Sequence, residues 1–241
     1  MMFLSPNTTI FVSMQQTGIK LTVDAVVFGY AKSEGVSILL VKRKYEPFKN
    51  TWALPGGFVQ EEESLEQAVV RELKEETGIT VNYLEQLYTF GEPARDPRQR
   101  IVSVAYFGLI NSRLYKELNA GTDADDAQWF NINSLPILAF DHKHIIKTAT
   151  GRLQAKMQYQ PVGFELLDKK FSFADLEKLY TALLGREIDR RNFRKKILSF
   201  EFLEKLPELT KPEGQGRPSN MFKFNKKRYD QLTKKGFFFE I

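Results

Sequence analysis

From Lys20 onward the apolar positions form short runs broken by turn residues, a pattern that predicts strands first and a helix after them. Residues 21–29 (LTVDAVVFG) and 36–41 (VSILLV) are almost unbroken apolar runs separated by Ser33-Glu34-Gly35, as expected of two buried strands joined by a turn. Residues 52–58 (WALPGGF) predict an extended segment running into a glycine loop. At Ser64 the spacing becomes helical. Leu65, Ala68, Val69 and Leu73 make one apolar stripe, Ser64 and Gln67 have capping-box spacing, and Gly78 is a natural stop. Strands are expected again over 83–90, 101–110 and 127–131, and a helix from His142 to about Lys156.

After residue 158 the pattern is helical with a different grammar. Ser172 and Asp175 form a second capping box. Behind it Leu176, Leu179, Tyr180, Leu183 and Leu184 follow i, i+3, i+4, i+7, i+8, and Gly185 ends the run. Asp189 caps a further helix in which Ile188 and Phe193 stand at hydrophobic-staple positions. Two β-like stretches, 200–206 and 221–224, flank Gly214-Gln215-Gly216-Arg217-Pro218. The expected division is an N-terminal extension (1–19), an α/β domain (20–155) and a small domain (156–241), without internal repeats.

Composition sharpens this picture. With 42% hydrophobic residues and 20 Phe in 241 residues, the chain has ample material for a core. It has no Cys, which excludes disulfides, zinc–thiolate sites and a thiol nucleophile. No apolar run has the length of a membrane span, and the first 18 residues lack a basic leader-like start. A cytoplasmic protein is therefore expected. The net charge of +5 is unevenly spread: residues 1–150 balance at −3 and residues 151–241 at +8. A basic rear half is the electrostatic footprint of a phosphate-rich partner. On its second helix Phe193 and Ile197 share one face, leaving Arg190, Arg191, Arg194 and Lys195 on the other. Capped helix, tight turn and basic helix is helix-turn-helix organisation, and residues 214–218 would form a wing. Arg190, Arg191, Asn192, Arg194, Lys195 and Arg217 are the candidate DNA contacts.

The front half carries different chemistry. Glu72 and Glu76 lie one helical turn apart with Glu75 beside them, and three carboxylates so close repel one another unless a cation sits among them. Oxygen-only donors suit Mg²⁺ or Mn²⁺. Gly56 lets a backbone carbonyl approach the same place, and Arg71 is positioned to hold Glu63 in a bidentate pair.

The full spacing G-x5-E-x7-R-E-U-x-E-E-x-G-U, from Gly57 to Ile79, is met at every fixed position. It resembles the Nudix box, over about residues 20–150. The resemblance implies an α/β/α sandwich with a mixed sheet that binds a nucleoside diphosphate linked to another group. Glu72 and Glu76 would then be metal ligands with Glu75 and the Gly56 carbonyl, and Arg71 and Glu63 would orient them. The catalytic base varies in such proteins, and box glutamates, Asp123, Asp125 and Asp126 are all open. The stretch 90–100 (FGEPARDPRQR) resembles the ADP-ribose branch, which makes Arg95, Arg98 and Arg100 candidate ligand contacts.

A Nudix-like half followed by 171–198 and a G-R-P wing resembles the Nudix-related transcriptional regulators, the NrtR family, across most of residues 18–230. That resemblance implies a dimeric repressor with a C-terminal winged helix, an operator DNA partner and an ADP-ribose-like ligand. Because the box is intact, its residues are consistent with hydrolysis as well as with binding, and the enzyme question stays open at this point. The alternative is a Mg²⁺-dependent pyrophosphohydrolase of ADP-ribose type with a basic accessory domain.

Overall fold

A computed structural model describes residues 18–114, 124–210, 218–236 and 239. Its first unit is a sheet of seven strands: β1 (Lys20–Ala31), β2 (Gly35–Arg43), β3 (Trp52–Ala53), β4 (Gly56–Phe58), β5 (Tyr83–Phe90), β6 (Ile101–Ile110) and β7 (Ala124–Asn131). The order is β3-β2-β1-β6-β5, with β4 also on β1 and β7 also on β2. β1 and β6 pair in parallel from Lys20↔Ile101 to Gly29↔Ile110, and the other pairings are antiparallel. The sheet is mixed.

Strand alternation explains why β1 reads as a continuous apolar run. Val23, Ala25 and Val27 face α1 (Leu65–Thr77) and pack with Ala68, Val69 and Leu73. Val26 and Phe28 face the opposite layer, where α2 (His142–Tyr159) supplies Ile145, Ile146, Ala149 and Leu153. The result is the expected α/β/α sandwich. α1 starts on the expected capping box, with Ser64 Oγ accepting from Gln67 N, and ends at Gly78 in the left-handed region (φ 72°).

The second unit contains β8 (Phe171–Ser172), α3 (Phe173–Leu184), α4 (Arg190–Ser199), β9 (Leu203–Leu209), β10 (Asn220–Phe224) and α5 (Lys226–Lys234). Ser172 and Asp175 cap α3 reciprocally, and Asp189 accepts from Arg191 N and Asn192 N to cap α4. β8, β10 and β9 form an antiparallel three-stranded sheet. This is a winged helix.

Several boundaries differ from expectation for identifiable reasons. β7 begins at Ala124, three residues early, because backbone pairing to β2 extends past its apolar residues to Arg43↔Ala124. β9 begins at Leu203 because Phe200 is still the C-cap of α4. α2 runs to Tyr159, crossing residue 155, and its Leu153 and Met157 belong to a core cluster that continues into Leu176, Leu179 and Ile197. The two units therefore share one hydrophobic core. Polar ties reinforce it: Lys32 to Asp175 at 2.7 Å, Asn111 to Asp168 at 2.8 Å, and Gln154 Nε2 donating to Leu183 O at 3.0 Å.

Candidate functional site

The C-terminal half of α1 lies against the glycines of β4. A β-carbon at Gly56 would collide with the Val23 carbonyl oxygen, and one at Gly57 would collide with the Glu72 carboxylate. Gly57 is what lets α1 approach β4 so closely, and Gly56 does the same for β1 against β4. Arg71 occupies the centre. Its Nε and Nη2 donate to Glu63 at 2.9 and 2.6 Å, and Nη1 donates to Glu72 at 2.8 Å and to Glu75 at 3.1 Å. Nη2 also donates to the Phe58 carbonyl at 3.2 Å, which ties the loop to the helix. Glu76 instead accepts from Gly56 N at 2.9 Å. Hydrogen bonding to Arg71 pulls the Glu63 carboxyl down to about 2, whereas burial pushes the Glu72 carboxyl above its ordinary value. Arg71 itself is held above the usual guanidinium value, chiefly by its hydrogen bonds to Glu63.

These groups open on a cleft of about 440 Å³. On its far side the buried Arg95 makes a bidentate pair with Asp141 (2.9 and 2.7 Å) and reaches Asp24 at 3.3 Å. Asp24 also accepts from the Ser103 hydroxyl. His142, at the start of α2, accepts from Leu54 N at Nδ1 (2.8 Å) and lies 3.5 Å from Asp24 through Nε2. Burial lowers its pKa, so the imidazole is neutral and Nε2 carries the proton toward Asp24. Arg98 pairs with Asp96 at 2.7 Å, with its guanidinium 5.8 Å from the Phe58 ring and 5.7 Å from the Phe140 ring. Phe140 holds a left-handed backbone (φ 51°), a strained conformation that aims its ring at Arg43 and Arg98.

Cations, carboxylates and aromatic faces thus meet in one cleft. Arginines suit phosphate oxygens, aromatic faces suit a base, and the α1 acids are the hard oxygen donors that a divalent cation prefers. As placed, Glu72 and Glu75 turn to Arg71 and Glu76 to Gly56 N, and no group of three acids or histidines among the described residues forms a metal cage. The donor chemistry fits a divalent ion; the side-chain positions are those of the arginine-bound set.

The structure brings Gly56, Arg71, Glu72, Glu75, Glu76, Arg95 and Arg98 to the cleft, with Glu63 behind Arg71. Arg100 is not in its lining, and its Nη1 donates to the Gly91 carbonyl. Asp126 lies on β7, accepts from Gln128 Nε2 and is likewise absent from the lining. Asp125 is in β7, and Asp123 and Arg217 lie outside the described residues. Asp24, Phe58, Phe140 and His142 join the cleft without a motif or spacing that marks them. Asp24 did carry a signal, being a lone charge in the apolar run LTVDAVVFG.

In the winged helix, Phe193 and Ile197 turn inward from α4. Arg190, Arg191, Arg194 and Lys195 are exposed, as expected. Arg194 lies over the Phe173 ring at 4.5 Å, and Asn192 Nδ2 donates to Asp189 at 2.7 Å, so both are positioned by the fold. β9 and β10 form the hairpin of the wing. α5, which has no buried residues, is tied to the end of α4 through Arg228 and Glu201 at 2.9 Å.

Comparison with known proteins bears on both units. A NUDIX domain family matches residues 19–149, and the NrtR DNA-binding winged helix domain family matches residues 163–224. The chain is 33% identical to the ADPR responsive transcriptional repressor NtrR of Acinetobacter baylyi, over 87% of this chain and 84% of that one. It is 50% identical to an ADP-ribose pyrophosphatase of Methanocaldococcus jannaschii, over 46% of this chain and 63% of that one. Among solved structures, Shewanella oneidensis NrtR complexed with a 27mer DNA superposes with a TM-score of 0.76 at 32% identity, covering 91% of this chain and 97% of that one. The NUDIX domain of the same Shewanella protein, complexed with ADP ribose, superposes with a TM-score of 0.52 at 40% identity, covering 56% and 89%. With both units matched in order, the chain belongs to the NrtR family of Nudix-related transcriptional regulators.

Proposed function

We propose that this protein is a ligand-responsive, DNA-binding transcriptional regulator whose Nudix unit (residues 20–155) binds ADP-ribose or a close analogue and whose winged helix (156–241) reads operator DNA. The observation that carries the reading is one continuous core joining the ligand cleft to α3 and α4. The similar proteins respond to ADPR, bind ADP ribose in the NUDIX domain, or were solved on DNA. Arg190, Arg191, Arg194, Lys195 and Arg217 are the phosphate-neutralising set, with Asn192 beside them. A single ten-residue helix has too small a footprint for specific binding, so the working form is a homodimer on two half-sites, in the cytoplasm.

The cleft also supports hydrolysis. Glu72, Glu76 and Glu75, with the Gly56 carbonyl, would hold Mg²⁺ or Mn²⁺, which neutralises a diphosphate and lowers the pKa of a bound water. Arg71 and Glu63 keep that helix face and its loop in register. A regulator that hydrolyses its own ligand resets itself. The test of the regulator reading is binding to labelled DNA from upstream of its own gene across a salt series. Affinity on the order of 1,000-fold above random DNA is expected. Equal affinity for both would remove the reading.

A further inference from the structure

A cavity larger than the ligand cleft, about 770 Å³, lies between the two units. One wall is the sheet and the loop after β7: Phe28, Val36, Ile132 and Leu135. The other is α2 and the end of α3, with Ile146, Leu153 and Leu183. At its floor Gln154 makes the α2–α3 hydrogen bond to Leu183 O, so anything lodged there touches both units at their junction.

Its lip is cationic. Lys143 and Lys147 are exposed, one turn apart on α2, and neither has an ion pair among the described residues. Like charges at this spacing repel, and here they stand over an apolar bed with no acid in the lining. Cavities of this volume, mostly apolar with a few convergent polar groups, are typical small-molecule sites and favour domain junctions.

We propose that this cavity is a second ligand site, distinct from the Nudix cleft, for a small anion with an apolar body: a carboxylate head set between Lys143 and Lys147 and a hydrocarbon portion against Phe28, Ile146 and Leu183. The two cations select the head, and the apolar walls contribute affinity in proportion to the buried chain. The site is read from this cavity alone and does not depend on what the Nudix cleft binds.

Isothermal titration of the full-length protein with decanoate tests this, with decylamine as the oppositely charged control. Saturable one-to-one binding of decanoate but not of decylamine is expected. Lys143→Glu with Lys147→Glu weakens it at least about tenfold, by loss of two charge-assisted contacts. Gly151→Phe abolishes it: Gly151 lines the mouth, is exposed, and a β-carbon there meets nothing within 4 Å, so the ring occupies the cavity without displacing backbone. ADP-ribose binding stays unchanged in both variants, which separates this site from the cleft. No saturable decanoate binding, equal binding of decylamine, or unaltered binding in the lysine variant overturns the proposal. So does conversion of a dimer to a monomer by Gly151→Phe, because the groove would then be a subunit contact.

Discussion

Arg71 grips Glu63 through two parallel hydrogen bonds of 2.9 and 2.6 Å, and the same guanidinium reaches the adjacent Glu72 and, one turn further along α1, Glu75. The box is therefore organised around an arginine that holds the loop against the helix, and only a planar fork serves all these partners. Arg71→Lys keeps the charge and loses the fork. Stability is expected to fall by about 1 kcal/mol, and the proposed hydrolysis of ADP-ribose by about tenfold or more. Denaturant unfolding and an AMP-release assay measure the two effects.

Glu76 bridges α1 to Gly56 N and is one of the proposed metal ligands. Glu76→Gln retains that hydrogen-bond acceptor but removes the charge. Metal-dependent release of AMP from ADP-ribose should fall on the order of 100-fold while the fold is retained. Unchanged turnover in this variant would move the catalytic centre elsewhere.

The buried His142 gives a pH signature. Its folded-state pKa lies below the unfolded value because burial disfavours the charged ring. Between those two values the unfolded chain binds the extra proton, so this contribution to stability is complete above the unfolded pKa of about 6.5 and is lost as the pH falls below it. Melting curves from pH 8 to pH 5 should show this decline. In His142→Asn, which keeps an acceptor for Leu54 N but does not titrate, the decline should be shallower. Identical slopes would assign the pH dependence to other groups.

On α4, Arg191 and Lys195 are exposed and have no ion pair among the described residues, whereas Arg194 is seated on Phe173. Arg191→Ala and Lys195→Ala should each weaken DNA binding uniformly across sequences and reduce the salt slope by about one unit. Arg194→Ala should in addition lower stability by about 0.5–1 kcal/mol through the lost ring contact. Slopes identical to that of the unsubstituted protein would place the DNA on another face.

Local signals were legible in the sequence because they act within one turn. The Ser64–Gln67 and Ser172–Asp175 capping boxes, the Gly78 and Gly185 stops and the Asp189 cap all appear where spacing put them. The carboxylate face of α1 was legible for the same reason. The far wall of the cleft was not: Arg95 meets Asp141 across 46 residues and Asp24 across 71, and no periodicity links them. Arg95, a candidate ligand contact, lies between two carboxylates, so a ligand must compete with Asp141 for it. α5 has no fully buried residue, and the partly buried Tyr229 that packs on the core makes no apolar stripe in the sequence. The shared core was equally hidden, since α2 shows no break between the units it joins.

On the proposed reading, occupancy of the Nudix cleft alters how the winged helix holds DNA. The most direct measurement is fluorescence anisotropy of labelled upstream DNA bound by the full-length protein, with ADP-ribose titrated into the complex and its binding verified by calorimetry. DNA affinity is expected to change by at least about fivefold at saturating ligand. Unchanged affinity with the cleft demonstrably filled would contradict that reading.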